Sequence, residues 1–440
     1  MPNIRIAVSG LANAGKTIFI TQLIAHLEHF KKSRFNLGPG RTIAEVKRVP
    51  LKKDGVQPFP YDEARAHLLG RDPGWPPATR AVSGIVLEFT LVDEMPRFFS
   101  KSKKRTHYRL EIYDFPGELL GDLNLPDREF AVWSVDTLRR LSDPTSPLKR
   151  AGTAYLPVLE DLSGIEPSRV VRAYHDALER AISRGATAVT PAGWIYSRGN
   201  AAASPPVEFA PLPDTAPEAL RKVLSAAYER YRLWLRPQTE VFRQCDRHAI
   251  LVDVLEILRG GQDRYVERKA SLREIVRFYR EAHGLLERLA RDTLRFLRIP
   301  VTASRSPLLK AVIVATKADA ILEEDRGRLA DLLREMLESD FRALDCELSF
   351  RACAAYDATR RETDGARWVI TGRVLADPSQ ALPREVARVP EHWPVHPWDG
   401  SEFRTFRNYL PAIPEGAIRE DATFPHINLN EIVRELLDLT

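Results

Sequence analysis

Gly10-Leu11-Ala12-Asn13-Ala14-Gly15-Lys16-Thr17 follows the apolar run Asn3-Ile4-Arg5-Ile6-Ala7-Val8 and precedes Ile18-Phe19-Ile20-Thr21. The run before it reads as a buried strand. The run after it, from Thr17 to about Lys32, reads as a helix with Ile20, Leu23, Ile24, Leu27 and Phe30 on one stripe. Gly10 and Gly15 allow a tight turn that brings backbone N–H groups toward phosphate oxygens. The helix that follows adds the positive end of its dipole. In such a loop Lys16 reaches the β- and γ-phosphates and the Thr17 hydroxyl ligates Mg2+. Asn13, Ala14 and Ile18 complete the expected nucleotide contacts. A purely structural glycine turn is the rival reading, and the flanking strand and helix argue against it.

Two further segments extend this reading. Asp114-Phe115-Pro116-Gly117-Glu118 comes directly after a strand-like run ending at Tyr113. A carboxylate at that strand tip is placed to hold Mg2+ through water, and the Gly117 N–H can sense a γ-phosphate. Glu118 either orients the attacking water or caps the next helix. Thr316-Lys317-Ala318-Asp319 ends the apolar run Leu308 to Ala315. An Asp there accepts from the N1–H and exocyclic amine of guanine, which adenine does not offer in that arrangement. Lys317 packs its stem over the base, Thr316 supports the loop and Ala320 adjoins it. A helix-start Asp is the alternative.

The rest of the chain frames these motifs. At 440 residues two or three lobes are expected. Residues 41 to 79 look turn-rich, and strands follow at Val82 to Asp93 and His107 to Tyr113. Lys101, Lys103, Lys104 and Arg105 read as a hairpin tip, either a solvated turn or a docking site for an acidic partner or membrane surface. Helices are expected at Ser168 to Ser183 and Pro217 to about Leu235. A strand follows at His248 to Val254, then a helix starting near Ser271 with Ser271 and Glu274 as a capping box. A helix at Arg326 to Glu338, a strand at Glu347 to Ala354 and a closing helix at Asn430 to Leu437 complete the order. The expected division is 1–118 and 246–360 as two parts of one α/β domain, 119–245 as a mostly helical insertion, and 361–440 as a C-terminal extension packing on the core.

Composition is 44% hydrophobic and 28% charged with a net charge of +5. That suits an anionic ligand without implying nucleic-acid binding. Cys245, Cys346 and Cys353 form no metal or redox spacing and read as reduced thiols. No apolar run approaches bilayer length. A soluble, cytoplasmic protein is expected.

The motif order resembles the G-domain of translation-factor-like and Ras-like GTPases, a doubly wound α/β sheet. By that resemblance Thr79 is a switch threonine contacting Mg2+ and γ-phosphate, and Arg80 is either a charge-neutralising residue in cis or a surface charge. Arg351-Ala352-Cys353-Ala354-Ala355 takes the place of the last base-contacting loop, in degenerate form. Together with Trp75-Pro76-Pro77-Ala78-Thr79-Arg80, Ile250-Leu251-Val252-Asp253-Val254-Leu255 and Phe424-Pro425-His426-Ile427, the chain resembles the YcjX-like bacterial P-loop proteins over nearly its whole length. The resemblance implies a stress-associated cytosolic NTPase that binds GTP or GDP and rearranges with it. It also implies that Trp75, Ala78, Thr79 and Arg80 lie near the nucleotide. The chain departs from the family by Phe115 in place of the usual Tyr. Lys16, Glu118 and Arg80 are thus the catalytic candidates, and Thr17, Thr79 and Asp114 the metal ligands. An ATPase or kinase using the same loop, or a slow nucleotide-gated protein whose helical lobe meets an effector, are the competing functions.

Overall fold

Ile4, Ile6, Ala7 and Val8 are each no more than 7% exposed, so the first strand is covered on both faces, as a central parallel strand must be. The computed structural model describes residues 1–440 apart from 32–34, 78–80, 97–100, 144–145, 147, 184–185, 187–188, 198–204, 297–308, 343–345, 365–366, 375–376, 382–383, 386, 396, 413–422 and 440. The chain opens with β1 (Asn3–Gly10), α1 (Lys16–Glu28), β2 (Arg41–Val49), β3 (Gln57–Pro58), α2 (Tyr61–Leu69), β4 (Ser83–Pro96) and β5 (Lys101–Asp114). The helices α3 (Phe130–Ser142), α4 (Lys149–Tyr155), α5 (Pro167–Ser183), α6 (Gly193–Ser197) and α7 (Glu218–Arg243) follow. Then come β6 (Arg247–Val252), α8 (Val254–Phe296), β7 (Leu309–Ala315), α9 (Arg326–Phe341) and β8 (Cys346–Ala352). Five short strands between Arg360 and Glu385 form two small sheets, and α9 is followed at the C-terminus by α10 (Leu429–Leu436).

The chain is an α/β protein. Its main sheet runs β2-β4-β5-β1-β6-β7-β8, with β3 beside β4. β5, β1, β6, β7 and β8 pair in parallel, while β2–β4 and β4–β5 are antiparallel. Contacts divide the chain into two units. The first is Met1–Phe115, Gln244–Tyr265 and Leu289–Thr440; the second is Pro116–Arg243 and Val266–Arg288.

In the first unit one apolar cluster joins Ile6 and Val8 to Phe19, Ile20, Leu23 and Leu27 of α1. Ile432, Val433 and Leu436 of α10 belong to the same cluster, so the last helix of the chain is part of the first strand's core. In the second unit Trp133 is 1% exposed, stacks on Tyr228 with centroids 5.1 Å apart and donates to the Thr190 hydroxyl at 3.0 Å. Asp122 is fully buried there and accepts from the Tyr231 hydroxyl and the Ala192 N–H, each at 2.5 Å. Burial raises its carboxyl to about 6 despite those donors.

Several sequence expectations change. Residues 41 to 79 hold β2 and α2 rather than turns alone. β2 is an edge strand whose polar residues face solvent, and its antiparallel ladder with β4 supplies the order that periodicity does not show. Lys101, Lys103, Lys104 and Arg105 lie inside β5, with Lys103 opposite Glu94 and Pro96 opposite Lys101. They are strand residues, and the tip falls outside the described residues. The capping box at Ser271 does not form. Its hydroxyl donates to the Glu267 carbonyl at 3.1 Å in the middle of α8. The helix starts at Val254 because Asp253 accepts from the Glu256 N–H at 2.9 Å. α7 runs on to Arg243 through Pro237. Among the described residues no helix is long and apolar enough to cross a membrane.

Two predictions come from this core. At Gly10 φ is 140°, and a Cβ would stand 2.1 Å from the Leu251 carbonyl oxygen on β6. At Gly15 φ is 88° and no atom lies within 4 Å of that position. Gly15→Ala is expected to cost about 1 kcal/mol of backbone strain. Gly10→Ala must also push β1 and β6 apart, so it costs more. Urea unfolding of both variants checks the order, and equal losses would contradict it.

His26 of α1, 2% exposed, stacks on Phe35 and meets His426 edge-on at 4.9 Å. Burial lowers His26 to about 3, with His426 adding to the effect, and burial lowers His426 to about 4. Both folded values lie below 6.5, so on acidification the unfolded chain takes up protons first. Stability from the pair is full above about pH 6.5 and falls below it by about 1.4 kcal/mol per pH unit per histidine until the folded values are reached. His26→Leu is expected to narrow the Tm gap between about pH 7 and about pH 5.

Candidate functional site

The loop after β1 carries its own conformational requirements. Gly10, Asn13 and Gly15 have φ of 140°, 63° and 88°, which turns the chain sharply from strand to helix. Ala14 closes the turn through its N–H to the Leu11 carbonyl at 3.2 Å. Lys16 is the first residue of α1 and only 8% exposed. Its ammonium donates to the Gly10 and Leu11 carbonyls at 2.9 and 3.0 Å. A cation is thus held inside the loop at the N-terminus of a helix, where fixed dipoles also favour an anion. Thr17 and Ile18 follow on the first turn of α1, both half-buried.

β5 delivers Asp114 to the same edge of the sheet. Asp114 pairs in register with Val8 of β1 and Ser83 of β4 and is fully buried. The next residue, Phe115, donates its N–H to the Val8 carbonyl at 3.0 Å. Gly117 is buried and Glu118 half-buried in a 3-10 turn, Gly117–Asp122, that belongs to the second unit. Among the described residues no group of three or more His, Cys, Asp or Glu could hold a metal ion. One hydroxyl and one buried carboxylate suit Mg2+, which binds through one or two carboxylates together with phosphate and water.

The loop after β7 is built from three directions. Thr316 donates its N–H and hydroxyl to the Val252 carbonyl at 2.9 and 3.3 Å. Lys317 takes a left-handed backbone with φ 62°. Its ammonium lies 2.5 Å from a carboxylate oxygen of Asp253 and donates to Asn408 Oδ1 at 3.0 Å. The Ala320 N–H returns to the Lys317 carbonyl at 3.0 Å. Asp319, 7% exposed, accepts the Ala358 N–H at 3.1 Å, and its carbonyl accepts the Thr359 hydroxyl at 2.8 Å. Burial, and then the charge of Asp357, raise its carboxyl to about 7.

The residues after β8 also meet here. Ala354 bridges Ile427, its N–H donating to the Ile427 carbonyl at 3.1 Å. That amide is therefore committed, and Ala355 is the remaining candidate of the pair for a base contact. Trp75 donates its indole N–H to the Tyr409 carbonyl at 2.9 Å and meets the Tyr356 ring edge-on at 5.5 Å. Ala78, Thr79 and Arg80 lie outside the described residues. Asp253, Asn408 and Ala358 escaped the sequence reading. Asp253 was legible as the polar end of an apolar strand; Asn408 and Ala358 carry no local signal, because only folding brings them to Lys317 and Asp319.

Comparison with known proteins places this site in context. The Ras-like GTPase YcjX of Escherichia coli K12 is 26% identical over 469 residues, covering 99% of this chain and 95% of that protein. The Ras-like GTPase YcjX of Shewanella oneidensis MR-1 is 24% identical over 471 residues, covering 99% and 94%. Residues 4–439 match the YcjX-like family, DUF463. The chain belongs to the YcjX-like family.

Proposed function

We propose that this protein binds and hydrolyses GTP and changes conformation with the nucleotide it holds. The observation that carries the reading is the common exit of two loops from one sheet edge. The Lys16 loop leaves β1 and the Asp319 loop leaves β7, with only β6 between them. Two strand spacings, about 10 Å, suit a nucleoside whose phosphates lie on one loop and whose base lies on the other. Ligands of open α/β sheets bind at the carboxyl ends of the parallel strands. The names of the two relatives support the same activity.

In this reading Lys16 and the loop N–H groups stabilise charge on the β- and γ-phosphates. Thr17, Thr79 and Asp114 would hold Mg2+, which neutralises phosphate charge when bound. Gly117 presents its N–H to the γ-phosphate, so loss of that group releases the loop. Glu118 orients the attacking water and Arg80 neutralises charge developing in the transition state. Thr316, Lys317, Asp319 and Ala320 read guanine, with Ala355 at O6. The helical second unit is the surface offered to a protein effector.

Asp319 must be ionised to accept from guanine, and its folded value is about 7. GDP affinity is therefore expected to fall as pH drops through that value, approaching about tenfold per unit well below it. Asp319→Asn should exchange the guanine preference for a xanthine one. Calorimetry with GDP, ADP and XDP at several pH values checks both, and equal GDP and ADP affinity in the wild type would defeat the guanine assignment. For catalysis, Glu118→Ala and Arg80→Ala are each expected to lower kcat at least about tenfold. Wild-type turnover in either variant removes that residue from the mechanism.

A further inference from the structure

Lys317 carries a four-carbon stem and an ammonium, and such a side chain is costly to order. Here it is ordered from two sides. Asp253, at the end of β6, approaches the ammonium at 2.5 Å with its own side chain only 8% exposed. Asn408, from the C-terminal extension, accepts from the same ammonium at 3.0 Å. Neither partner is loosely placed. Asp253 also caps α8 through the Glu256 N–H at 2.9 Å. Arg259 of α8 donates to Asn408 Oδ1 at 3.3 Å and to the Phe406 carbonyl at 3.2 Å.

The backbone beneath Asn408 is equally constrained. A Cβ on Gly400 would stand 2.1 Å from the Arg259 carbonyl oxygen, and one on Gly261 would stand 2.7 Å from the Trp398 carbonyl oxygen. The Gln262 N–H donates to the Trp398 carbonyl at 2.9 Å. The extension is therefore seated backbone-to-backbone on the start of α8, and Asn408 leaves that seat toward Lys317.

We propose that Asp253 and Asn408 are positioning residues for nucleobase binding, holding the Lys317 stem as a preformed shelf for the base. This rests on the nucleotide reading above and adds that the C-terminal extension is part of base recognition. The physical argument is preorganisation. A shelf already fixed by two polar partners loses little freedom when a planar base settles on it, whereas a free lysine must be ordered at the expense of binding. Asn408→Ala removes one acceptor, and Asp253→Asn removes the charge while keeping an oxygen for the cap.

Base-dependent and base-independent binding separate the roles. Full-length wild type, Asn408→Ala, Asn408→Asp, Asp253→Asn and Lys317→Ala are titrated by calorimetry with GDP and with inorganic tripolyphosphate, both with Mg2+. Asn408→Ala and Asp253→Asn are expected to weaken GDP about tenfold, the usual scale for a hydrogen bond to a charged group. Tripolyphosphate affinity and Tm should stay near wild type. Asn408→Asp, which keeps an acceptor for the ammonium, should recover GDP binding. Unchanged GDP affinity in Asn408→Ala and Asp253→Asn while Lys317→Ala loses it would overturn the proposal. So would a parallel fall for GDP and tripolyphosphate, which marks a general structural role. Wild-type protein that binds tripolyphosphate but gains nothing from a base would overturn the nucleotide reading itself, and this proposal with it.

Discussion

The parallel ladder through β1 is the constraint on which the candidate site depends. Parallel pairing sets Val8 beside Asp114, Gly10 beside Leu251, Val252 beside Ala315, and Ala315 beside Ala352. The strand ends are therefore level, and every loop that follows one opens on the same edge. A one-residue slip would send every side chain to the opposite face, so burial of the strands holds the register. The close approach of Gly10 to Leu251 shows how little slack remains at that edge. The candidate site, with residues from 10 to 427, thus inherits its geometry from the ends of five parallel strands.

That edge concentrates charge where water is scarce. Lys16, Asp114, Asp253 and Asp319 are all less than 9% exposed, and an isolated charge in such surroundings costs several kcal/mol. The molecule answers this differently at Lys16, Asp253 and Asp319. Lys16 is satisfied by carbonyls of its own loop, Asp253 by an ammonium and a helix N-terminus, and Asp319 by the Ala358 N–H, its own backbone N–H and the charge of Lys317. Asp319 is the least compensated of the three, since burial and Asp357 together push its carboxyl upward. In the proposed reading, guanine brings this carboxylate two further donors that offset its burial.

Sequence was a good guide where chemistry is local. β1, the glycine turn and α1 follow from alternation, two glycines and a helical stripe within the first 28 residues. Asp114 and the Thr316–Asp319 segment were legible because each ends an apolar strand. β2 was not, since its residues are mostly polar and its order comes from β4 across the sheet. The start of α8 lies well before the expected Ser271, because Asp253 ends β6 and caps the helix at Glu256. At Gly261 the backbone leaves helical geometry, with φ 75°, where the Trp398 backbone comes close. The Ala354 N–H is taken by the Ile427 carbonyl, which its place after an apolar strand does not reveal. β2 and Ala354 depend on partners at least 37 residues away in sequence, which no local pattern encodes.

The C-terminal segment shows why such distant partners matter. Residues after β8 could have formed a separate appendage, but α10 shares its apolar face with β1 and α1. Lys310 and Arg247, at the opposite ends of β7 and β6 from the site, both bind Asp438. The chain between these points then has a fixed start at Ala352 and a fixed finish at α10, and it returns across the strand ends through Asn408, Tyr409 and Ile427. With both of its ends fixed on the core, this return segment gives up little further entropy in contacting the site loops. The same contacts tie the Trp75 loop, which leads into Ala78, Thr79 and Arg80, to the residues around Lys317 and Tyr356. Asn408 and Tyr409 are consecutive residues, so one short stretch of the extension meets both loops.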